Sequence, residues 1–535
     1  MTGIGRRGFL GAVMGGAALG AGPLALAAPA SAAEATPAAF GPATVAPDDP
    51  RYASLVRGTN HRFVGTPDHV RLVGSTAQVV DAVNEAVAAG RRIAVRSGGH
   101  CFENFTASPE VRVLVDLSEL NEVRYDPWLR AFSIQAGATL GHVYRTLFKG
   151  WGVTVPAGIT PEVGVGGHFA GGGYGAFSRR LGSVVDYLYA VEVVTVDASG
   201  RARAVLATKR ADDPHRDLWW AHTGGGGGNF GVVTKYWVRS PGATGGDPAT
   251  ALPKAPSHSR TGILMWPWSA LDQSSFTAVL RNLGAWCERN SAPGSPALDL
   301  FPFFQATGRA GAGVFVGAQV DDAVPDSSAM LNALCDEVAA GVGVAPVRFP
   351  DTVYPWLYGA AFPDFGDPGT IDVRRFKIKA AYLRKGFTEP QLAVAYRFLS
   401  QHDGPVQLLL AGYGGEVNRV APHATAIAQR DSILKAMILA PWASADDDDS
   451  TIAAVRGFYR DLYAHSGGVP VPDANTDGSY INYPDVDLAD PAWNTSGVPW
   501  HTFYYKDNYP RLQQVKKRYD PRNVFRHALS IELPE

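Results

Sequence analysis

Cysteine is scarce in this sequence. Cys101, Cys287 and Cys335 are three among 535 residues, and none stands in a CxxC pair. They are too few for a disulfide framework and form no thiolate zinc motif. Charge is sparse as well: Lys and Arg number 48, Asp and Glu 50, and charged residues make up 18% of the chain. A formal charge of −2 argues against a nucleic-acid partner and against a polybasic membrane face. No run beyond the amino terminus reaches the roughly 18 apolar residues of a spanning helix, so no membrane anchor is expected. P-loop, HExxH and GxSxG motifs are also missing.

What is present is a chain that is 46% hydrophobic and holds 60 glycines. That composition excludes disorder of the whole, which needs low hydrophobicity and high net charge. At about 100–200 residues per domain the length predicts two to four domains. The glycines follow no collagen period and gather in a few loops.

Residues 1–32 read as a signal peptide. Arg6-Arg7 precede Gly8-Phe9-Leu10 and a weakly apolar Ala/Gly run, and Ala30-Ser31-Ala32 gives a small-x-small cleavage pattern. Paired arginines with low hydrophobicity predict export of the folded protein by the twin-arginine machinery, and hence a secreted or extracytoplasmic location. Residues 33–50, rich in Ala and Pro, are expected to form a flexible leader.

The mature chain predicts an α+β fold without steady βαβα alternation. Ser75 and Gln78 form a capping box that opens a helix carrying Val79, Val83, Ala86 and Val87, with Gly90 as its stop. Ile93–Val95, Val111–Leu117 and Ala131–Ala136 read as strands, and Thr139 opens a helix stopped near Gly150. Tyr189–Val196 and Arg201–Val205 predict a hairpin. Between roughly 245 and 460, Pro-rich loops separate apolar runs at Ile263–Trp268, Val314–Val320 and Gln407–Leu410, with helices at Ser328–Ala339 and Thr388–Leu399. Ala445–Ser450, with its four aspartates, reads as a solvated turn. Arg511–Tyr519 is helix-like.

Three glycine clusters carry the chemistry. They are Ser97-Gly98-Gly99-His100, the stretch Gly164–Gly175, and Gly224–Gly231. Glycine lets successive backbone N–H groups converge on an anion and lets a planar ligand touch the main chain. Three such loops suit a dinucleotide. Gly226–Gly231 formally matches GxGxxG, yet a strand, Val232–Val238, follows it where a Rossmann fingerprint needs a helix.

These residues resemble a known family. Arg96–His100 is similar to the flavin-attaching loop of berberine bridge enzyme-like oxidases, which have the vanillyl-alcohol oxidase fold. Gly164–Gly175, Asp217–Trp220 with Gly224–Gly231, Tyr480–Tyr483 with Asp485 and Asp487, and Tyr504-Tyr505 with Asn508 and Tyr519–Phe525 resemble further stretches of that family in the same order. The resemblance implies a bilobed α+β architecture. An FAD-binding domain of two α+β subdomains is expected over 51–240, and a substrate domain with an antiparallel sheet over 241–470. A tail at 471–535 is expected to return to the first domain. It also implies FAD joined through its 8α carbon to His100, with Arg96, Ser97, Gly98, Gly99, Cys101, Thr160, Val163, Gly164, Gly167, His168, Gly171, Gly172, Gly173, Tyr174, Gly228, Gly231, Val233, Tyr505 and Asn508 about the cofactor.

Doubly linked members carry a second attaching cysteine where this chain has Thr160, so a single attachment is expected. Val163 occupies the family's gatekeeper position, which favours O2 as acceptor and release of hydrogen peroxide. Oxidising a small-molecule alcohol needs a base, because a hydride leaves carbon while the hydroxyl loses its proton. The resemblance puts Tyr483 in that role, with Tyr174, Tyr480 and Asn482 nearby. On a regular strand Tyr480 and Asn482 would share one face and Tyr483 the other, whereas a bulge or turn would change this. His168 is expected to hold its loop, and Arg419 to be solvated. A dehydrogenase, an oxidative-cyclisation enzyme and a non-catalytic flavin-bearing binder stay open as alternatives.

Overall fold

The computed structural model describes residues 40–360 and 375–535. The export segment at 1–32 and the first part of the expected leader lie outside the described residues. From Phe40 onward the leader expectation is corrected: Ala43–Val45 is a strand, paired antiparallel with His69–Leu72, and Val45 is fully buried.

The fold is mixed α+β, built on three sheets among the described residues. A four-stranded sheet runs in the order Ala43–Val45, His69–Leu72, Val113–Asp116, Ile93–Arg96, the last three parallel. An antiparallel five-stranded sheet follows, in the order Val123–Asp126, Ala131–Gln135, Val232–Val238, Leu188–Val196, Ala202–Thr208. The third sheet has eight strands. In it Val314–Asp321, Phe301–Thr307, Gln407–Gly412, Leu434–Trp442 and, at the edge, Arg375–Leu383 lie side by side, all antiparallel.

Local chemistry explains the helix ends. Ser75 accepts the Gln78 N–H and caps Thr76–Ala88, while the Gln78 side chain accepts from Gly74 rather than from Ser75. Gly90, at φ 63°, supplies the left-handed stop. The helix opened by Thr139 runs to Trp151, and its left-handed cap is Gly152 rather than Gly150. The acidic run is a larger correction. Only Ala445–Asp447 forms a turn; Asp448 and Asp449 open a helix that continues to Leu462. Acidic residues in a first helical turn offset the exposed N–H dipoles, and Asp448 also pairs with Arg375.

The tail, the central sheet and the loop after His100 meet in a buried charged cluster. Lys377 Nζ contacts Glu103 at 2.6 Å and Asp485 at 2.8 Å; Lys379 Nζ contacts Asp487 at 2.8 Å, and Arg456 closes on Asp487 at 2.6 Å. Three cations face three carboxylates. Burial works against the Lys377 ammonium, but Asp485, Glu103 and Asp487 outweigh it and raise its pKa.

Candidate active site

The first two glycine loops interlock. A Cβ at Gly98 would strike the Gly164 nitrogen, and one at Gly164 would strike Gly98 and the Ser97 hydroxyl. Only glycine allows that approach. The third loop comes up opposite: a Cβ on Gly227 would stand 3.7 Å from the Gly167 Cα. The tail fixes this third loop, since Lys516 Nζ donates to Asn229 O at 2.7 Å and Asn229 Oδ1 accepts from Ile531 N at 3.0 Å.

Between the loops lies a cleft of about 230 Å³ lined by Arg96, Ser97, Gly98, Gly99, His100, Cys101, Val163, Gly164, Gly167, His168, Gly228, Gly231 and Val233. Ile93, Val95, Leu117 and Phe525 add apolar wall, and Arg526 and His527 close one end. No carboxylate lines it among the described residues, whereas Arg96 and Arg526 do. Gly167 has open space where a Cβ would project. A glycine floor and apolar walls fit an extended dinucleotide with an anionic centre; Arg96 faces it while paired with buried Asp116.

Other expected residues act differently. Gly171 leaves room for Asn482, Gly172 for Ile427 and Gly173 for His168, so these glycines serve packing and do not line the cleft. Nor do Tyr505 and Asn508. The Tyr505 hydroxyl donates to Gly225 O at 3.0 Å, and Asn508 Nδ2 donates to Pro422 O at 2.8 Å. Burial pushes the Cys101 thiol up to about 11, so it stays protonated and unreactive. His168 Nε2 accepts from Gly158 N at 3.0 Å; burial, then Lys435, pushes its pKa down to about 3, which keeps it neutral as a loop-holding acceptor. Arg419 is exposed and pairs with Glu416.

A second cavity, of about 650 Å³, adjoins the cleft. His100, Val163, His168 and Asn482 line both. Thr160, Tyr174, Tyr480 and Tyr483 line the second. The segment carrying Tyr480–Tyr483 is a turn rather than a strand, closed by Tyr483 N donating to Tyr480 O at 2.8 Å. Strict alternation is thereby broken, and Tyr480, Asn482 and Tyr483 reach the same cavity.

Their hydroxyls are not equivalent. Tyr480 donates to Gly172 O at 3.1 Å and accepts from Asn482 Nδ2 at 2.9 Å, so its hydroxyl is committed to structure. The Tyr174 and Tyr483 hydroxyls meet each other at 3.2 Å. Burial raises the Tyr483 phenol above the ordinary tyrosine value, and the hydrogen bond from Tyr174 pulls it back. Burial, then the charge and hydrogen bond of Tyr483, hold Tyr174 well above that value. Within the pair, Tyr483 is the less buried residue.

Sequence reasoning missed Lys435. Its Nζ lies 3.4 Å from the Tyr174 ring centroid and 3.5 Å from that of Tyr480, with Tyr382 and Tyr413 at 4.5 and 4.6 Å. The amine has no hydrogen-bond partner among the described residues, and burial drives its pKa well below the ordinary lysine value. Four ring faces stand where a carboxylate would be expected. The available signal was a lysine inside the apolar strand Leu434–Trp442.

A family model described as an FAD binding domain matches residues 67–204, and one described as berberine and berberine like matches 479–532. Aclacinomycin-N/aclacinomycin-A oxidase of Streptomyces galilaeus is 55% identical over 489 residues, 91% of this chain and 89% of that protein. The chain belongs to the berberine bridge enzyme-like FAD-linked oxidases. A crystal structure of aclacinomycin oxidoreductase superposes with a TM-score of 0.89 at 53% identity, covering 92% of this chain and 99% of that one. A glycopeptide hexose oxidase solved with teicoplanin gives 0.88 at 50% identity with the same coverage. In this FAD-linked oxidase the cleft among the glycine loops has the lining that a dinucleotide needs, and the cavity beyond His100 adjoins it.

Proposed function

We propose that the protein oxidises a neutral, largely apolar small molecule at a hydroxyl-bearing carbon, with FAD held covalently through the 8α carbon by His100 and O2 converted to hydrogen peroxide. The observation that carries this reading is the Tyr174–Tyr483 hydroxyl pair, which faces a cavity that His100 joins to the dinucleotide cleft. Bound FAD supplies the two-electron acceptor.

The chain supplies position and proton transfer. Ser97–His100, Gly164, Gly167 and Gly228 would hold the cofactor. Tyr483 takes the substrate hydroxyl proton, and Tyr174 donates a hydrogen bond to the charge that forms on Tyr483. Phe102 stacks on the Tyr483 ring at 5.6 Å and fixes its plane. The walls around them, Phe301, Phe376, Leu409 and Met437 among others, are apolar, and no Asp, Glu, Lys or Arg lines the cavity among the described residues. An ionic substrate would leave its charge unpaired there. The relatives' printed names, an aclacinomycin oxidase and a glycopeptide hexose oxidase, agree with oxidation of a small molecule. Thr160 offers no thiol, which supports a single covalent link. The paired arginines of the amino terminus support export of the folded protein.

The attachment is tested on an acidic denaturing gel. Wild type should show a fluorescent flavin band at the polypeptide, and His100→Ala should show none. A band that persists in the variant, or is missing from wild type, refutes the histidyl link.

The base form is deprotonated, so substrate-driven reduction should rise with pH towards a plateau above the tyrosine pKa. Burial keeps the Lys435 amine neutral where the tyrosine titrates, so Lys435→Met should leave that midpoint in place. A midpoint that moves upward in the variant would mean that the amine carries a charge there.

A further inference from the structure

Arg375–Leu383 is an edge strand of the eight-stranded sheet, so its outward N–H and C=O groups need partners from elsewhere. At Phe376 one side chain supplies both. Asn60 Oδ1 accepts from Phe376 N at 3.2 Å, and Asn60 Nδ2 donates to Phe376 O at 3.0 Å. The carboxamide stands in for one rung of a missing strand. Its remaining capacity is used as well: Nδ2 donates to Phe102 O at 3.1 Å, and Oδ1 accepts from Arg62 N at 3.2 Å. An asparagine offers two donors and two acceptor positions, and here all four are filled. Turned round, the amide would set its oxygen against two carbonyls, so the partners fix its orientation. Asn60 is 2% exposed.

The residues it joins lead to the site. Phe102 comes two positions after His100. The Phe102 and Phe376 rings meet edge to face at 5.3 Å, and both line the substrate cavity. Phe102 in turn stacks on Tyr483, with 22° between the ring planes. The neighbouring Thr59 holds the other flank of His100, since its N–H donates to Gly99 O at 2.9 Å. Two adjacent residues therefore bracket His100 in its loop, and one of them reaches Tyr483 through a single ring. Asn60 itself lines neither the cleft nor the cavity.

We propose that Asn60 is a positioning residue of the reaction: by fixing the backbones of Phe102 and Phe376 it sets the ring against which Tyr483 is held, and so places the phenol oxygen. This rests on the reading of Tyr483 as the base. A misplacement of about 1 Å at a reacting group can cost on the order of 10²-fold in rate, so a residue outside the cavity can control the step.

Two measurements on the holoprotein test it. A crystal structure of Asn60→Ala needs no turnover. In it the Phe102 ring should shift against Tyr483, and the Tyr174–Tyr483 hydroxyl separation should exceed the 3.2 Å of the wild type. The second is anaerobic flavin reduction, per bound flavin, by methyl β-glucoside, methyl β-galactoside and benzyl alcohol. With whichever of them bleaches the wild type, Asn60→Ala should be about ten- to hundredfold slower at saturation, with the half-saturating concentration changed by less than about threefold. In a Phe102→Leu background the same substitution should cost less than about threefold, because the path through the ring is already cut. Should Asn60→Ala fail to fold, Asn60→Ser carries the comparison. Unmoved rings, an unchanged rate beside a slow Tyr483→Phe, or an equal loss in both backgrounds overturns the proposal. If the rings move as expected while none of the three alcohols bleaches the wild type, or while Tyr483→Phe is reduced at the wild-type rate, the oxidation or base reading fails and the placement by Asn60 stands.

Discussion

Tyr483→Phe should slow substrate-driven flavin reduction by about 10²–10⁴-fold, the usual contribution of a positioned general base. The substitution removes one oxygen and keeps the ring that stacks on Phe102, so the fold and the cofactor content should not change. Tyr174→Phe should cost less, roughly tenfold, because it removes only the hydrogen bond that pulls the Tyr483 pKa down. Combining them should add little beyond Tyr483→Phe, since the donor acts through the base. Stopped-flow mixing without oxygen reads the step directly. A Tyr483→Phe enzyme reduced at the wild-type rate would move the base elsewhere. Tyr480→Phe serves as the contrast: its hydroxyl is already committed to Gly172 and Asn482, so its loss should perturb the turn without changing the pH midpoint.

The second large effect concerns stability. Lys377→Met should destabilise the protein by about 3–5 kcal/mol, because it strands Glu103 as a buried carboxylate and leaves Asp485 with Lys379 alone. Burial already raises the Glu103 pKa, an effect that Lys377 opposes. Glu103→Gln together with Lys377→Met should recover part of the loss, and the shortfall from additivity measures the coupling. The readout is the thermal midpoint of the holoprotein. An additive pair, or a single variant melting with wild type, would mean that the cluster contributes little. The cluster also bears on the site, since Glu103 follows His100 in its loop and Asp485 follows the Tyr480–Tyr483 turn. Loosening it should therefore slow reduction as well.

The sequence was informative where chemistry is local. Capping at Ser75, the left-handed Gly90 and the interlocked glycine loops follow from residue type and short spacing. So does the strand after Gly231, which set aside the nicotinamide-cofactor fold. Two kinds of feature escaped. One is a turn disguised as a strand: the alternation at 480–483 gave no sign of the Tyr483-to-Tyr480 hydrogen bond that brings three side chains to one wall. The other is partnership across long separations. Lys377 and Lys379 meet their aspartates 108 residues away, and Lys435 meets Tyr174 of a distant loop. Nothing local predicts that an isolated lysine in an apolar strand will find rings or carboxylates. The acidic run at 445–450 failed differently: charge density suggested a turn, while helix-end electrostatics made its second half a helix start.

The account stands or falls on one sequence of observations on purified holoprotein. A panel of neutral alcohols, glycosides included, is mixed with it in the absence of oxygen and the flavin absorbance is followed; air is then admitted. The account predicts bleaching by at least one member, recovery of the colour in air, and one hydrogen peroxide for each flavin reoxidised. A flavin that no alcohol bleaches, or one that stays bleached in air, would contradict it.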